Sequence, residues 1–291
     1  MNVLVVGDLV TDILVEQRGE ITAGSDTDAR ISIGGGGQAA NTAAWLAHAG
    51  AAPTLIAAAG DDPAGRERVA ELVAAGVRCA VRHHAGTATG SVVVLADASE
   101  RTMITDRGAS LLLDPTDVRD AVKVAPDAVH LHLSGYPLLH AGSRPGGLAA
   151  LDAARERGLT TSVDAASAAP LRSAGDFLEL VRGTDLLLCN ADEAAALAGE
   201  GSAAEQARVL TAFARNVVIK LGPDGAVWRT QDGELRLSGA QRVHAKDPTG
   251  AGDAFAAGLL NAWLRGSEPE AALLAGAALG AAAVQKVGAR P

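Results

Sequence analysis

The chain has 291 residues, 48% of them hydrophobic and 20% charged, which allows one large domain or two small ones and excludes a disordered acidic chain. A net charge of -9 argues against nucleic-acid or anionic-membrane partners, because clustered Lys and Arg bind phosphate backbones. The N-terminus has no signal-peptide pattern, no segment has the apolar length of a membrane span, and the cysteines, Cys79 and Cys189, lack metal-type spacing. These features predict a cytoplasmic protein with two buried thiols.

Short apolar runs alternate with segments of helical period along the chain. Strands are predicted at 2–7, 54–60, 127–135, 159–164, 185–190 and 216–222, and helices at 38–50, 63–76, 147–158, 191–200 and in two stretches after 250. Such alternation is typical of βαβ units. It predicts an α/β fold with a mostly parallel sheet that is covered by helices on both faces.

Two stretches interrupt this alternation. Residues 12–33 contain two β-like runs, and residues 89–106 contain a hairpin-like pair of runs around Asp97–Glu100. Because little helix separates these runs, they predict a small β-sheet at one edge of the domain, in the position of a lid or an interface. We therefore expect a single domain over 1–291, with lid segments at about 12–33 and 86–110.

The sequence excludes one common type of nucleotide site and leaves another open. A P-loop is excluded because none of the four lysines follows a glycine. A Rossmann site stays open as an alternative, since Gly35, Gly37 and Ala40 have a GxGxxA spacing and Asp61 and Asp62 follow at the distance of a ribose-binding acid. An NAD-dependent dehydrogenase would use this site.

The stretch "DPTGAGDAFAAGLL" (247–260) points to different chemistry. Gly250, Ala251 and Gly252 at a helix start would expose backbone N–H groups, and the helix dipole would add positive potential, so that an anion can bind without a lysine. Asp253 is then placed to accept the proton of a hydroxyl that attacks a phosphoryl group held there. A capping Asp with small residues for tight packing is the structural alternative.

Together with "GGQAANTAAWLAHAGAAPTLIAAAG" (36–60), this stretch resembles the two signatures of the ribokinase/PfkB family of carbohydrate kinases. The resemblance covers nearly the whole chain. It implies a ribokinase-like three-layer α/β/α sandwich with a β-sheet lid. It also implies transfer of the γ-phosphoryl group of ATP to a primary hydroxyl of a small carbohydrate.

The resemblance further implies roles for individual residues. Asp253, Gly250, Ala251 and Gly252 would be catalytic. Sugar binding falls to Asp8, Asp12, Gly36, Gly37 and Asn41. The nucleotide and Mg²⁺ would involve Asn190, Glu193, Lys220, Gly222 and Gly225, with Glu193 reaching the magnesium through water. Asp247 and Thr249 match positions that bind K⁺ in some members, and lid strands of related kinases pair into homodimers.

The substrate is less constrained by the sequence. Residues 130–137 lack the acid that ribokinase carries there for ribose, so ribokinase activity as such is not implied. Nucleoside sites usually stack the base on aromatic rings, yet aromatics are 2% of the chain and neither lid segment contains one. This favours a ribose-, fructose- or sugar-acid-type substrate, with a nucleoside kinase and a catalytically silent sugar-binding protein as alternatives.

Three side chains allow two interpretations each. Arg107 in the lid would hold a substrate carboxylate or phosphate, or it is a solvated strand arginine. His130 and His132 lie on one face of a predicted strand and could form a metal pair. Since no third ligand is evident, packed or hydrogen-bonded histidines are favoured.

Overall fold

The computed structural model describes residues 1–17, 19, 21, 23–96, 101–239 and 243–291. The turn predicted around Asp97–Glu100 lies outside these residues. The strands are β1 (Asn2–Gly7), β2 (Val10–Gln17), β3 (Ala29–Gly36), β4 (Ala52–Gly60), β5 (Arg78–His84), β6 (Thr89–Ala96), β7 (Arg101–Gly108), β8 (Ala128–Ser134), β9 (Thr160–Asp164), β10 (Thr184–Asn190), β11 (Ala214–Lys220), β12 (Ala226–Thr230) and β13 (Leu235–Ser238). The helices are α1 (Gln38–His48), α2 (Pro63–Ala74), α3 (Pro115–Lys123), α4 (Tyr136–Leu139), α5 (Arg144–Glu156), α6 (Ala168–Ser173), α7 (Phe177–Leu180), α8 (Ala191–Ala198), α9 (Ala203–Leu210), α10 (Ala251–Trp263) and α11 (Pro269–Ala283).

Nine strands in the described ranges form the central sheet, in the order β13-β12-β11-β10-β9-β8-β1-β4-β5. The strands from β5 to β11 pair in parallel, whereas β12 and β13 add to one edge in antiparallel pairs. The predicted mostly parallel sheet is therefore confirmed. Within the same ranges, no helix combines the length and apolar character needed to cross a membrane.

The two faces of β1 explain why helices cover the sheet on both sides. Val3 and Val5 are buried in a core formed with α1, α10 and α11, whereas Leu4 and Val6 are buried in a core formed with α3, α5, α8 and α9. Successive strand residues point to opposite faces, so a strand that is apolar throughout needs a helix layer on each side. The result is a three-layer α/β/α sandwich.

Four strands form a second, smaller sheet in the order β3-β2-β6-β7. The β2–β6 pair is parallel and the other two pairs are antiparallel. A row of apolar side chains crosses one face, with Ile33 opposite Ile13, Ile13 opposite Val93, and Val93 opposite Ile104. Ile33 and Ile104 are 67% and 57% exposed, so this face presents apolar surface to solvent.

Helices α10 and α11 pack with their backbones unusually close together. A Cβ at Gly258 in α10 would lie 2.5 Å from the carbonyl oxygen of Ala275 in α11. Small residues at such contacts let two helix axes approach closely, which fixes the position of one helix on the other. The start of α10, where the candidate site lies, is thereby held in place.

Candidate active site

Several polar residues lie at one edge of the central sheet. Asp8 follows β1, Ser134 ends β8, Asp164 ends β9, Asn190 ends β10 and Lys220 ends β11. Since these strands are parallel, their carboxyl ends meet at the same edge, which is where α/β sheets bind ligands. Helices α1 and α10 begin at this edge, as their contacts with these residues show.

The residue that precedes α10 has to be glycine. Gly250 has a φ of 75°, and a Cβ there would lie 2.3 Å from the carbonyl oxygen of Ala289. A larger side chain would be costly here for two reasons: residues other than glycine disfavour positive φ, and the nearby backbone leaves no room for a Cβ. The backbone conformation at Gly250 therefore determines how the chain enters the predicted anion site.

The first N–H groups of α10 differ in their partners. The N–H of Ala251 donates to the carbonyl of Pro248 at 3.2 Å, because the chain turns there, so this group is less available than predicted. In the described part of the chain, the N–H groups of Gly250, Gly252 and Asp253 have no acceptor, as is typical of the first turn of a helix. Together with the helix dipole, these three groups can bind an anion.

Asp253 lies in the first turn of α10, facing α1. Its Oδ2 accepts a hydrogen bond from Nδ2 of Asn41 at 3.0 Å. Burial raises the pKa of Asp253 well above the usual range; the Asn41 hydrogen bond and the Lys220 charge act to lower it, while the carboxylate of Asp164 raises it further. A carboxylate with a raised pKa is a stronger base, which suits it to accept a hydroxyl proton.

Lys220 brings a positive charge to the same helix start. Its Nζ lies 2.6 Å from Oδ2 of Asp164 and 3.4 Å from the position that a Cβ on Gly252 would take. Burial acts to lower the pKa of Lys220, but the carboxylates of Asp164 and Glu193 outweigh it and the pKa is raised. Lys220 therefore keeps its charge beside the anion-binding N–H groups.

Asp164 belongs to none of the motifs that predict the site from the sequence. Besides Lys220, it accepts a hydrogen bond from Nε2 of Gln38 at 2.9 Å. Only one signal was available, an acid that ends the predicted strand at 159–164. Its partners lie 126 and 56 residues away, so no local pattern identifies them.

Asn190 and Glu193 form a capping box at the start of α8. Both carboxylate oxygens of Glu193 accept hydrogen bonds from Asn190, from its N–H at 2.7 Å and from Nδ2 at 2.8 Å. Burial raises the pKa of Glu193 to about 7, although Lys220 lowers it. The capping role is thus present, and each carboxylate oxygen of Glu193 keeps a lone pair beyond the one that accepts from Asn190.

Asp8 caps helix α1. Its carboxylate accepts hydrogen bonds from the N–H groups of Gln38 at 3.2 Å and Ala39 at 3.3 Å, and from the hydroxyl of Ser134 at 3.2 Å. Gly37, the residue directly before α1, has a φ of 99°. The position predicted for sugar binding is therefore largely occupied by structural hydrogen bonds.

Arg107 lies beside this carboxylate. One guanidinium nitrogen is 3.7 Å from Oδ2 of Asp8, and the guanidinium carbon lies 3.8 Å from the centre of the Tyr136 ring. The side chain is 18% exposed, so it is not a solvated strand arginine. A guanidinium carries five N–H donors, more than these two contacts use.

Asp12 projects from the small sheet toward the central domain. A Cβ on Gly36 would lie 2.0 Å from Oδ1 of Asp12, which explains the glycine at that position. Burial raises the pKa of Asp12 to about 6, against the lowering effect of Arg290. Asp12 borders a cavity of about 320 Å³ between the small sheet and the loops around 247–249 and 287–289.

Asp247 and Thr249 border the same cavity. Oδ1 of Asp247 accepts the N–H of Thr249 at 2.7 Å, and Oδ2 accepts the N–H of Gly288 at 2.9 Å. The first bond lies within the loop before α10, and the second joins that loop to the segment after α11. The oxygen atoms suit a hard cation, but the carboxylate already serves as a structural acceptor.

The remaining sequence-predicted residues lie elsewhere. Gly222 and Gly225 shape the turn between β11 and β12 with φ values of 59° and 96°, two and five residues beyond Lys220. His130 and His132 are fully buried and both contact the hydroxyl of Ser162 at 2.7 Å. No group of three metal-ligating side chains is found in the described ranges, and these histidines are core residues.

The Rossmann alternative is wrong. The run that contains Gly35 and Gly37 ends a strand of the small sheet, not a strand of the central parallel sheet. Asp62 instead caps α2 through Gly65 and accepts the N–H of Thr89 at 2.7 Å. The spacing of Gly35 and Gly37 therefore reflects the passage of the chain from β3 into the start of α1.

Comparisons with known proteins agree with this geometry. The profile of the pfkB family carbohydrate kinases matches residues 1–291. An ATP-dependent ribose-1-phosphate kinase from Halopiger xanaduensis is 34% identical over 288 residues, covering 97% of this chain and 89% of that protein. An adenosine kinase from Sinorhizobium meliloti superimposes with a TM-score of 0.89 at 24% identity, over 100% of this chain and 95% of that one. A ribokinase-type protein from E. coli, solved with ATP and Mg²⁺, superimposes with a TM-score of 0.84 at 23% identity, over 99% and 94% of the two chains.

Proposed function

Because the chain belongs to the pfkB family of carbohydrate kinases, phosphotransferases that act on a hydroxyl group, we propose that it transfers the γ-phosphoryl group of ATP to a primary hydroxyl of a small sugar. The observation that carries this proposal is the position of Asp253. Its carboxylate lies in the helical turn that carries the N–H groups of Gly250, Gly252 and Asp253, which have no acceptor among the described residues, and Lys220 brings a positive charge beside Gly252.

The proposed reaction assigns one step to each group. Asp253 takes the hydroxyl proton as the sugar oxygen attacks the γ-phosphorus. The new O–P bond forms while the bond to the β,γ-bridging oxygen breaks, and ADP leaves with that electron pair. The N–H groups of Gly250, Gly252 and Asp253, with Lys220, stabilise the negative charge on the transferring group.

Asn190 and Glu193 are the residues proposed to help hold the magnesium ion. Mg²⁺ prefers oxygen ligands and usually keeps several waters, so contact with Glu193 through water fits a carboxylate whose oxygens already accept hydrogen bonds. The ion, bound to the ATP phosphates, would neutralise their charge. Gly222 and Gly225 are proposed to line the nucleotide, and a cytoplasmic location stays a prediction.

The sugar is proposed to lie between the small sheet, acting as a lid, and the start of α1. Asp12, Gly36, Gly37 and Asn41 are its proposed contacts, with Asp8 holding the α1 N-terminus in place. Closure of the lid would exclude water and limit ATP hydrolysis. Single-domain organisation over 1–291 is part of this proposal.

The position of Arg107 supports a second candidate substrate, a negatively charged sugar that accepts the phosphoryl group. Its guanidinium is mostly buried beside the proposed sugar site, and its contacts leave donors for a carboxylate or a phosphate. Both a sugar acid and a sugar phosphate carry such a group, and the relative from Halopiger is named for a sugar phosphate. We propose that charged sugars are used at least as well as neutral ones.

A substrate screen tests these proposals. ADP release with Mg-ATP would be measured for pentoses, hexoses, sugar acids, sugar phosphates and nucleosides. Turnover with a sugar supports the proposal, turnover with nucleosides alone assigns a nucleoside kinase, and sugar binding without ADP release assigns a silent binding protein. Arg107→Met should raise the KM for charged sugars by about 10²-fold and leave neutral sugars unchanged, with Arg66→Met as the exposed control.

The K⁺ site is proposed at Asp247 and Thr249. Its support is the set of oxygen atoms where the loop before α10 meets the segment after α11. Replacing Na⁺ by K⁺ should raise kcat if the ion orders this junction. Equal kcat in both salts would remove the ion from the mechanism.

A homodimer through the lid is also proposed. The row of Ile33, Ile13, Val93 and Ile104, in which Ile33 and Ile104 are exposed, provides apolar surface that a second copy would cover. Ile33→Glu should convert a dimer into a monomer in light scattering, whereas Val124→Glu, at an exposed residue outside the lid, should not. A wild-type monomer at micromolar concentration would contradict the proposal.

A further inference from the structure

Arg290 inserts its side chain between three elements of the candidate site. Its Nη2 donates to the carbonyl of Gly36 at 3.1 Å, its Nη1 to Glu71 at 3.2 Å, and its Nε to Oδ1 of Asn41 at 3.2 Å. The side chain is 15% exposed, and a Cβ on Gly35 would lie 1.9 Å from Nη1. The guanidinium is therefore enclosed by these residues and has little freedom to move.

The Asn41 amide is held from both ends. Its Oδ1 accepts from Arg290, while its Nδ2 donates to Asp253 at 3.0 Å. A guanidinium can only donate and an ionised carboxylate can only accept, so the two neighbours together allow one orientation of the amide. If Arg290 were absent, the amide could turn over and present Oδ1 to Asp253.

We propose that Arg290 is a positioning residue that holds the Asn41 amide in the orientation that donates a hydrogen bond to Asp253. This inference rests on the proposed function, in which Asp253 is the base. The segment that carries Arg290 is itself anchored nearby, since Nε1 of Trp45 donates to the carbonyl of Ala289 at 2.9 Å. Helix α1 and the segment after α11 are thus joined on both sides of Asn41.

The consequence concerns the proton affinity of Asp253. An N–H donor stabilises the ionised carboxylate, whereas an amide oxygen in its place favours the protonated form. The other charged or titratable groups near this carboxyl are Asp8, Asp164, Lys220 and Tyr136. In the described part of the chain, none of them forms a side-chain hydrogen bond or an ion pair with Asn41 or Arg290, so an exchange of Arg290 leaves their own polar contacts intact.

The pH dependence of kcat tests the proposal. Arg290→Met should move the acidic limb of the profile to higher pH by about one unit, because a hydrogen bond to a charged group is lost. Glu71→Gln is the matched control, since it removes the ion pair of Arg290 but keeps the contact between Arg290 and Asn41. The acidic limb of the profile of this variant should stay where it is in wild type. Arg290→Lys, which keeps a positive charge and an N–H donor group of similar reach, should recover part of the shift.

A second comparison separates positioning from folding. In an Asn41→Ala background, Arg290→Met should cause no further shift of the limb, because the amide it positions is gone. A uniform loss of kcat at every pH, or the same shift in both backgrounds, would overturn the inference. The wild-type substrate screen is independent: if wild type turns over a sugar while these profiles coincide, the inference fails and the proposed function stands.

Discussion

Lys220 and Asp164 form a buried ion pair, with Nζ 2.6 Å from Oδ2, at the point where two parallel strands end beside the start of α10. The pair keeps a positive charge next to the N–H groups of that helix. It also supports Gln38 in the first turn of α1 through the second oxygen of Asp164. One ion pair thus links two strand ends to both helix starts.

Removing both members of this pair should cost less stability than the two single removals added together. Lys220→Met and Asp164→Asn each leave a buried group without its partner, which we expect to cost about 3 kcal/mol in the free energy of unfolding. The double variant should lose less than the sum. Urea unfolding of the four proteins gives this comparison, and additive losses would contradict it.

The same variants should differ in catalysis. Lys220→Met removes the cation beside Gly252 and should lower kcat by about 10²-fold. Asp164→Asn keeps the cation and should lower kcat less. Steady-state kinetics at saturating ATP would measure this, and equal kcat values for both variants would exclude a direct role for the Lys220 charge.

Replacing the proposed base should lower turnover by orders of magnitude without preventing nucleotide binding. Asp253→Asn keeps the shape of the side chain but cannot accept a proton, so kcat should fall by about 10²- to 10⁴-fold. ATP affinity, measured by titration calorimetry, should stay close to that of wild type. Asp120→Asn, an exposed acid in α3, is the control, and near-normal turnover in Asp253→Asn would remove this residue as base.

Gly250 should be far less replaceable than other glycines of similar conformation. Gly250→Ala meets both positive φ and the Ala289 carbonyl, and should cost about 3 kcal/mol or more. Gly266→Ala has a φ of 86° but no atom within 4 Å, so it should cost about 1 kcal/mol and leave kcat unchanged. Equal losses in urea unfolding would show that the close contact is unimportant.

Acid should destabilise the fold through its buried histidines. Burial lowers the pKa of His130 to about 3 and that of His132 to about 4, from 6.5 in the unfolded chain. The stability that the neutral rings contribute is complete above pH 6.5 and is lost as the pH falls toward these values, by about 1.4 kcal/mol per pH unit and histidine.

Unfolding at several pH values would detect this loss. His132→Asn keeps an acceptor for the Ser162 hydroxyl but cannot titrate in this range, so its stability should fall less steeply between pH 6.5 and 4.5. His244→Asn, at an exposed position, should keep the wild-type slope. Parallel slopes for wild type and His132→Asn would contradict the assignment.

The sequence predicted the elements whose residues carry a local pattern. The apolar strands and the glycine-stopped helices have such a pattern, and so does the small-residue run before Asp253. Strand β5 was missed because its residues, RCAVRHH, include charged and imidazole side chains at an edge of the sheet. Helix α3 was missed although Asp114 and Pro115 are a clear start signal.

The site was predictable only where motifs are contiguous. Asp164 and Arg290 act through partners that are distant in sequence, so spacing could not identify them. Asp8 shows a different difficulty: its position in the sequence suggested sugar binding, but its carboxylate holds the start of α1. Ala251 likewise has a suitable position but uses its N–H in a turn.

The span of the Asn41 contacts has a consequence for folding. The bond to Asp253 joins residues 212 positions apart, and the bond to Arg290 joins residues 249 positions apart. Contacts of such separation close large loops and tend to form late, after local helices and hairpins are in place. Enzyme activity should therefore return after the helical circular dichroism signal when the denatured chain is refolded.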